Sequence, residues 1–239
     1  MIINVVAPFG TGKSSLVSLL SQDINAKPYF ETVNDSIILP KYYANGEESR
    51  KQLSFALQVE FLNKRFKMLK SANKQELAVL DSDLIADSVC YKVIHDRGEA
   101  SDAEYKLYLD LLQNMLMSTI DDSNGYYPAL FVYLDIDREK EVENIIKRGR
   151  EMELDENLIE YYYSINQGFK DWYNGYSQSP VLKIDCTSLD FVNNVNDQNF
   201  VLDTIEQKLV DLGLKSQEWF DKIKAKRVFY TVDFFKTDL

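Results

Sequence analysis

IINVVAPFGTGKSSLVSLL, residues 2–20, is the stretch that decides the fold class. Four of its first five residues are apolar and β-branched, which predicts a short buried strand. A turn rich in glycine follows, and Leu16, Leu19 and Leu20 then recur at the spacing of one helical stripe. The stretch therefore predicts a strand, a glycine-rich turn and an amphipathic helix in direct succession.

The turn carries most of a P-loop, the pattern G-x-x-x-x-G-K-[ST], with Ala7 in place of the first glycine. Glycines let backbone N–H groups turn inward around phosphate oxygens, while Lys13 reaches the outer phosphates and the Ser14 hydroxyl can bind Mg²⁺. The start of the next helix adds positive potential. The motif predicts binding of a nucleoside triphosphate with Mg²⁺ rather than a turn without a ligand, and it suits ATP, GTP or another triphosphate. The ATP-binding residues predicted here are Gly10, Thr11, Gly12, Lys13, Ser14 and Ser15.

The rest of the chain alternates strand and helix patterns. Further strands are predicted at 27–32, 76–80, 129–136 and 181–185. Helices are predicted at 46–71, 84–120 with a break near Gly98 and an N-cap at Ser101, 139–147, 156–173 and 201–212. Such alternation indicates an α/β fold with a five-stranded parallel sheet that helices cover on both faces.

Composition and charge exclude several classes of protein. The formal net charge is −11 over 239 residues, which repels nucleic-acid backbones and anionic membranes, so we expect neither as a partner. The single histidine, His95, leaves no histidine cluster for zinc and no obvious Ser-His-Asp set. Cys90 and Cys186 form no CxxC pair, and there is no long apolar run or signal peptide, so we expect a cytoplasmic protein with reduced thiols. Motifs that resemble those of GTPases, at 73–76 and 122–125, occur in the wrong order.

Candidate groups for a second substrate lie further along the chain. Glu31 follows the second predicted strand, at the sheet edge that faces the ligand crevice in open α/β folds, and could accept a hydroxyl proton. Gln58 and Arg65 are seven residues apart, which places them on one helix face, where Arg65 could orient Asp87. The competing interpretations are an ordinary surface glutamate and a solvated helix face.

Two arginines flank a glycine at the end of the helix predicted at 139–147. Arg148 and Arg150 on either side of Gly149 suit a lid over phosphates. A basic last turn that only complements the helix dipole is the alternative.

Taken together, these motifs resemble the deoxynucleoside kinase family, in particular its bacterial deoxyadenosine and deoxyguanosine kinases. The resemblance spans Val5 to about Leu212. The segments that carry it are GTGKSSL (10–16), FETVNDSIILPKYY (30–43), FALQVEFLNKRF (55–66), YLDLLQNML (108–116), FVYLDI (131–136), IIKRGREME (145–153), DWYNGY (171–176) and LDF (189–191).

The resemblance implies a three-layer P-loop kinase fold and transfer of the γ-phosphoryl group of ATP to the 5′-hydroxyl group of a deoxynucleoside, for nucleotide salvage. By position, the resemblance also implies roles for single residues. On the deoxynucleoside, Glu31 is the general base, the pair Tyr43 and Glu153 holds the sugar 3′-hydroxyl, and the trio Gln58, Arg65 and Asp87 reads the nucleobase. On the ATP side, the phosphates are held by Lys13, Arg148 and Arg150, the metal by Ser14 and Asp81, and the adenine by Asp190 and Phe191. Dimers are typical of the family, so it also implies a homodimer or a heterodimer with a related kinase.

The chain departs from the family at Asp81-Ser82-Asp83, where the family has the sequence D-R-S. By the resemblance, the departure removes an arginine that helps to hold both the transferring phosphate and the carboxylate of the general base, and we expect Asp83 to add negative charge nearby. Arg97 or a partner subunit could supply the missing charge. The missing arginine leaves open a weakly active or non-catalytic nucleotide-binding subunit. A nucleoside monophosphate kinase is a second alternative, against which the low density of cations around Ser82 and Asp83 argues, because its acceptor phosphate needs a cationic pocket.

The predicted domain organisation is a kinase domain over residues 1–213, with a lid around 148–157, and a C-terminal extension over 214–239. Lys222, Lys224, Lys226 and Arg227 form a basic run that we expect to be a solvated helix end. The apolar segment 228–235 is expected to pack on its own domain or on a dimer partner, because an exposed β-prone segment would aggregate.

Overall fold

Strand β1 (Ile2–Val6) lies at the centre of a parallel sheet in the computed structural model, which describes residues 1–31, 35–119, 127–155 and 158–232. The other strands of the described residues are β2 (Lys27–Tyr29), β3 (Ala78–Asp81), β4 (Leu130–Asp135) and β5 (Val181–Asp185). Their order is β2-β3-β1-β4-β5, and every pairing is parallel. The predicted α/β class and five-stranded parallel sheet are confirmed.

Helices connect and cover these strands. They are α1 (Lys13–Asp23), α2 (Leu39–Ala44), α3 (Gly46–Ala72), α4 (Leu84–Asp96), α5 (Asp102–Met117), α6 (Arg138–Arg148), α7 (Ile159–Gly175), α8 (Val195–Asp211) and α9 (Gln217–Lys226). A 3-10 turn, Glu151–Glu153, follows α6.

The strands bury side chains on both faces, as a covered parallel sheet requires. In β4, Phe131 and Tyr133 enter a core formed with α3, α4, α5 and α7. The alternate residues Leu130, Val132 and Leu134 enter a second core formed with α1 and α8. The result is three layers, with the carboxyl ends of all the strands at one edge of the sheet.

Several predicted boundaries were wrong. β2 ends at Tyr29, while Thr32 lies outside the described residues, and β3 includes Asp81. The short helix α2 was not predicted. α8 begins at Val195 instead of residue 201, because the Asn194 side chain caps a polar first turn by accepting hydrogen bonds from the backbone N–H groups of Asn196 and Asp197.

The break between α4 and α5 was predicted correctly. Ser101 caps α5 by accepting a hydrogen bond from the Glu104 N–H group, and the Glu104 carboxylate accepts one from the Ser101 N–H group at 2.8 Å.

The described part of the C-terminal extension contacts the rest of the chain through α9, Arg227, Tyr230 and Val232, whereas Val228 and Phe229, which were expected to pack, are exposed at 62% and 42%. α9 lies against α8, and Arg227 is the first residue after α9. Arg227 was expected to belong to a solvated helix end, and that expectation was wrong. Its side chain is only 4% exposed and pairs with Asp23, Asp203 and Glu206. Lys222, Lys224 and Lys226 are exposed, as expected of a solvated helix end. Only Arg227 was misread, because its sequence carries no sign of the acidic partners that α1 and α8 contribute. Residues 233–239 lie outside the described part of the chain.

Candidate active site

The P-loop joins β1 to α1 in the predicted way. Gly10 and Gly12 have φ values of +68° and +83°, in the left-handed region that favours glycine. A Cβ atom at Gly12 would lie 2.9 Å from Cζ of Phe191, so this position has room only for glycine. The Thr11 hydroxyl donates to the carbonyl of Pro8 at 3.0 Å, and the Asn144 side chain donates to the carbonyl of Gly10 at 3.0 Å. Asn144 had no predicted role, and nothing in its local sequence suggested one.

Asp81 connects the two functional side chains at the start of α1. It is the last residue of β3, which pairs with β1, and its carboxylate accepts hydrogen bonds from the Lys13 ammonium and from the Ser14 hydroxyl, the latter at 2.5 Å. The three residues predicted for phosphate and metal are therefore in contact. In the described residues no group of three or more His, Cys, Asp or Glu side chains could hold a metal ion alone. A hydroxyl and one carboxylate nevertheless fit Mg²⁺, which takes oxygen ligands and completes its shell with water and substrate phosphates.

Arg65, which is buried on α3, connects two acidic groups. Its Nη2 lies 2.5 Å from Oε1 of Glu31, and its Nη1 donates to Asp87. The second Asp87 oxygen accepts a hydrogen bond from the Tyr108 hydroxyl at 2.6 Å. Burial raises the pKa of Asp87 to about 6, although both Arg65 and Tyr108 act to lower it. Tyr108 is a participant that was missed, although it opens one of the segments that carry the family resemblance.

Gln58 lies on the same helix, α3, and is buried like Arg65. Its Oε1 and the Nε of Arg65 have no hydrogen-bond partner within the described residues. Buried polar atoms without partners are costly, so both atoms are suited to bind a polar ligand. The competing interpretation, a solvated helix face, is wrong, because Gln58 and Arg65 are both buried.

Glu31 and Lys13 lie at the same edge of the sheet. β1 and β2 end there, and the chain leads from them to the P-loop and to Glu31. Burial raises the pKa of the Cys90 thiol to about 12; the charges of Asp87 and Glu31 also raise it, while those of Arg65 and Lys13 lower it.

The predicted lid residues converge on one carboxylate. Glu153 is 2.5 Å from Nη2 of Arg148 and 3.5 Å from Nη1 of Arg150. Tyr43 lies near it: burial and the Glu153 carboxylate both raise the pKa of the Tyr43 phenol. Arg148 ends α6, and Gly149 follows it with φ of +73°. Part of the predicted lid, residues 156 and 157, lies outside the described residues.

The structure places Ser82 and Asp83, the two residues at which the chain departs from the family sequence, in defined conformations. Ser82 has φ of +71°, and Asp83 caps α4 by accepting a hydrogen bond from the Ala86 N–H group at 2.8 Å. Asp83 is 1% exposed and also accepts a hydrogen bond from the Asn4 side chain at 2.6 Å. A helix N-terminus and an amide therefore hold the Asp83 carboxylate, and its charge acts to raise the pKa of Asp87. The expected effect of this charge on the phosphate site stays a prediction.

Arg97 engages other groups. Its guanidinium contacts Glu99 and Ser164, each at 3.3 Å, and lies over the ring of Tyr161. None of these residues belongs to the P-loop, so these contacts do not indicate that Arg97 replaces the missing arginine.

The loop before α8 brings the last predicted residues to the P-loop. Phe191 is buried and its ring lies against Gly12, while the Asp190 carboxylate accepts hydrogen bonds from the backbone and side-chain N–H groups of Asn193. Gln198, fully buried in α8, donates a hydrogen bond to the carbonyl of Phe191 at 3.2 Å. Gln198 was not predicted, because the sequence shows only a polar residue in a helical first turn.

No helix in the described part of the chain is long and apolar enough to cross a membrane.

Comparison with known proteins gives a consistent result. The family model described as deoxynucleoside kinase matches residues 3–211. A deoxyguanosine kinase of Lactobacillus johnsonii is 36% identical over 221 residues, which cover 91% of this chain and 96% of that protein. A deoxyadenosine kinase of Lactobacillus acidophilus is 33% identical over 215 residues, which cover 89% of this chain and 98% of that protein.

Solved structures show the same fold. A deoxyadenosine kinase from M. mycoides with bound dATP superposes with a TM-score of 0.72 at 24% identity, covering 86% of this chain and 100% of that one. A structure of deoxyadenosine kinase from M. mycoides with bound dCTP has the same TM-score at 22% identity, and the match covers 87% of this chain and 100% of that one.

Proposed function

Because this chain belongs to the deoxynucleoside kinase family, we propose that it transfers the γ-phosphoryl group of ATP to the 5′-hydroxyl group of a deoxynucleoside, preferably deoxyadenosine or deoxyguanosine. The observation that carries the proposal is the meeting of Glu31, Arg65 and Asp87 at the sheet edge that also presents Lys13.

In this mechanism the 5′-oxygen forms a bond to the γ-phosphorus while the bond from that phosphorus to the β–γ bridging oxygen breaks. Glu31 accepts the proton of the hydroxyl group, and ADP leaves. Backbone N–H groups of the P-loop and Lys13 hold the phosphates. Ser14 and Asp81 would hold Mg²⁺, which supplies positive charge to the phosphate oxygens when it is bound. Arg148 and Arg150 exchange part of their contact with Glu153 for the transferring phosphate.

The deoxynucleoside is recognised at both ends. Gln58, Arg65 and Asp87 bind the nucleobase, which is supported by the unpaired Oε1 of Gln58 and Nε of Arg65 in an otherwise paired cluster. Tyr43 and Glu153 hold the sugar 3′-hydroxyl. Asp190 and Phe191 contact the adenine of ATP, which is supported by the position of the Phe191 ring against Gly12.

We also propose that residues 1–213 form the kinase domain, with its lid around 148–157, and that 214–239 form an extension. A dimer is supported by the family and by Leu107 and Met117, which α5 exposes. Light scattering measures the oligomeric state directly. A cytoplasmic location is supported by free thiols at Cys90 and Cys186.

A coupled assay of ADP release with ATP and each of the four deoxynucleosides tests the reaction. We expect turnover with at least one purine deoxynucleoside. Deoxynucleoside monophosphates in the same assay test the alternative monophosphate kinase, and turnover on those alone would replace the proposal. Tight ATP binding without turnover on any acceptor would favour the non-catalytic subunit, for which the loss of arginine at Ser82 is the motivating observation.

A further inference from the structure

We propose that the C-terminal strap, residues 227–232, holds the Phe191 loop against the P-loop and thereby sets the affinity for the phosphate donor, with Gln198 as the positioning residue. The inference rests on the proposed function only where it identifies the donor as ATP.

Gln198 joins the strap to the Phe191 loop. Its side-chain amide donates hydrogen bonds to the carbonyl of Tyr230 at 3.0 Å and to the carbonyl of Phe191 at 3.2 Å. Its Oε1 accepts a hydrogen bond from the Tyr230 N–H group at 2.8 Å. The side chain is fully buried and uses both its donor and its acceptor groups. The strap and the loop therefore share one amide, and neither can move away without leaving a buried polar group unpaired.

Phe191 carries this contact to the phosphate site. Its ring occupies the space that a side chain at Gly12 would need, with Cζ 2.9 Å from the ideal Cβ position. Gly12 directly precedes Lys13, the first residue of α1. A displacement of the Phe191 loop would therefore leave the P-loop backbone without support on this side. P-loop N–H groups bind phosphate only in a defined geometry, so their support affects donor binding.

The strap is itself anchored in two places. At its start, Arg227 is 4% exposed and its Nε donates to Asp23 at 2.8 Å, while Nη1 lies 2.5 Å from Asp203 and Nη2 contacts Glu206. Asp23 is the last residue of α1, and the other two acids belong to α8. Further along, the Tyr230 hydroxyl donates to the second oxygen of Asp23 at 2.9 Å.

The two anchors place the strap across both helices that cover this face of the sheet. α1 begins at the P-loop, and the loop preceding α8 carries Phe191, so the strap joins the two elements that flank the donor side. The deoxynucleoside groups Glu31, Arg65 and Asp87 make none of the hydrogen bonds or ion pairs that hold the strap. The strap should therefore affect the donor and leave the deoxynucleoside unaffected.

Steady-state kinetics of Gln198→Met test this separation, because methionine has a similar length and forms no amide hydrogen bonds. We expect the KM for ATP to rise about tenfold, within the range of energetic coupling between sites, while the KM for the deoxynucleoside stays unchanged. Lys222→Ala is the matched control, since the exposed Lys222 pairs with Glu218 within α9, and Glu218 is not one of the acids that hold Arg227. An unchanged KM for ATP, or equal rises in both KM values, would show that Gln198 only stabilises the fold and would overturn the proposal.

Hydrogen exchange on the unmodified protein gives a test that does not depend on the folding of a variant. Coupling is reciprocal, so a donor that needs the strap must also protect it. We expect a non-hydrolysable ATP analogue with Mg²⁺ to slow amide exchange in residues 227–232, and a deoxynucleoside alone to have no effect there. Equal exchange with and without the analogue overturns the inference.

The two proposals fail in different ways. A protein that phosphorylates no deoxynucleoside contradicts the proposed function, while the dissociation constant of the ATP analogue, compared between the unmodified chain and Gln198→Met, still tests the role of the strap. An equal dissociation constant in the two proteins contradicts the strap even if the kinase is active.

Discussion

Arg65 donates from Nη2 to Oε1 of Glu31 at 2.5 Å, so the residue predicted to read the nucleobase directly contacts the candidate general base. Both side chains are largely buried, at 10% and 16% exposure. In this geometry Arg65 holds the carboxylate in place, and the family arginine missing at Ser82 is not needed for that contact.

The replacement Glu31→Gln tests the general base. The amide keeps the size of the side chain and cannot accept the hydroxyl proton, so we expect kcat to fall by about 10² to 10⁴. The KM for ATP should stay constant in the same kinetic series. A kcat within threefold of the original would exclude Glu31 as the base.

The Asp87 pKa predicts a pH dependence of deoxynucleoside binding. Burial raises this pKa to about 6, so the carboxylate is ionised above that pH and loses its charge below it. We expect kcat/KM for the deoxynucleoside to decline as the pH falls below about 6, because a protonated Asp87 no longer pairs with Arg65 and no longer presents two acceptor oxygens.

Two variants identify the group that titrates. Asp87→Asn should remove the decline along with most of the activity. Tyr108→Phe removes a hydrogen bond that stabilises the carboxylate, so the decline should move to higher pH. A pH profile identical in Tyr108→Phe and the unmodified protein would assign the titration to another group.

Ser82 offers a test of the missing cation. Ser82→Arg restores the family residue, and we expect kcat to rise at least tenfold, since a cation on the transferring phosphate contributes strongly in related reactions. Ser82→Gly serves as the backbone control: with φ of +71°, glycine should raise the free energy of unfolding by about 1 kcal/mol without raising kcat. An unchanged kcat in folded Ser82→Arg would mean that this charge does not limit the reaction.

The raised pKa of the buried Glu141 carboxyl group predicts that the free energy of unfolding depends on pH. Glu141 is fully buried in α6, accepts a hydrogen bond from the Asn166 side chain at 2.8 Å, and burial raises its pKa to about 8. The folded chain therefore keeps this carboxyl group protonated where the unfolded chain, with a pKa near 4.3, has released the proton. Its contribution to stability falls as the pH rises from about 4.3 to about 8.

Glu141→Gln isolates that contribution, because an amide keeps the acceptor for Asn166 and has no proton to release. We expect its Tm to exceed that of the unmodified protein by about 2–4 °C or more at pH 8 and by less at pH 5, which thermal unfolding at both pH values measures. An equal Tm difference at the two pH values would contradict protonation of Glu141 in the fold.

Much of the site followed from local patterns. The P-loop was recognisable because its glycines, Lys13 and Ser14 are consecutive in the chain and lie between a strand and a helix whose periodicities are plain. The parallel sheet followed from the alternation of strands and helices, since only a covered parallel sheet uses such an order. Seven residues of helix placed Gln58 and Arg65 on one face before any tertiary contact was known.

Other relationships depended on tertiary packing. Asp83 caps a helix, Arg227 is buried among acids of α1 and α8, and Gln198 pairs with Tyr230, although each is an unremarkable polar residue in its own segment. Their partners are up to 204 residues away, and distant charges and hydrogen-bond partners leave no local periodic signal. Local sequence thus determined the five strands and the long helices between them, but not the short helix α2. Folding decided which charges are neutralised, because that depends on how the elements meet across the sheet.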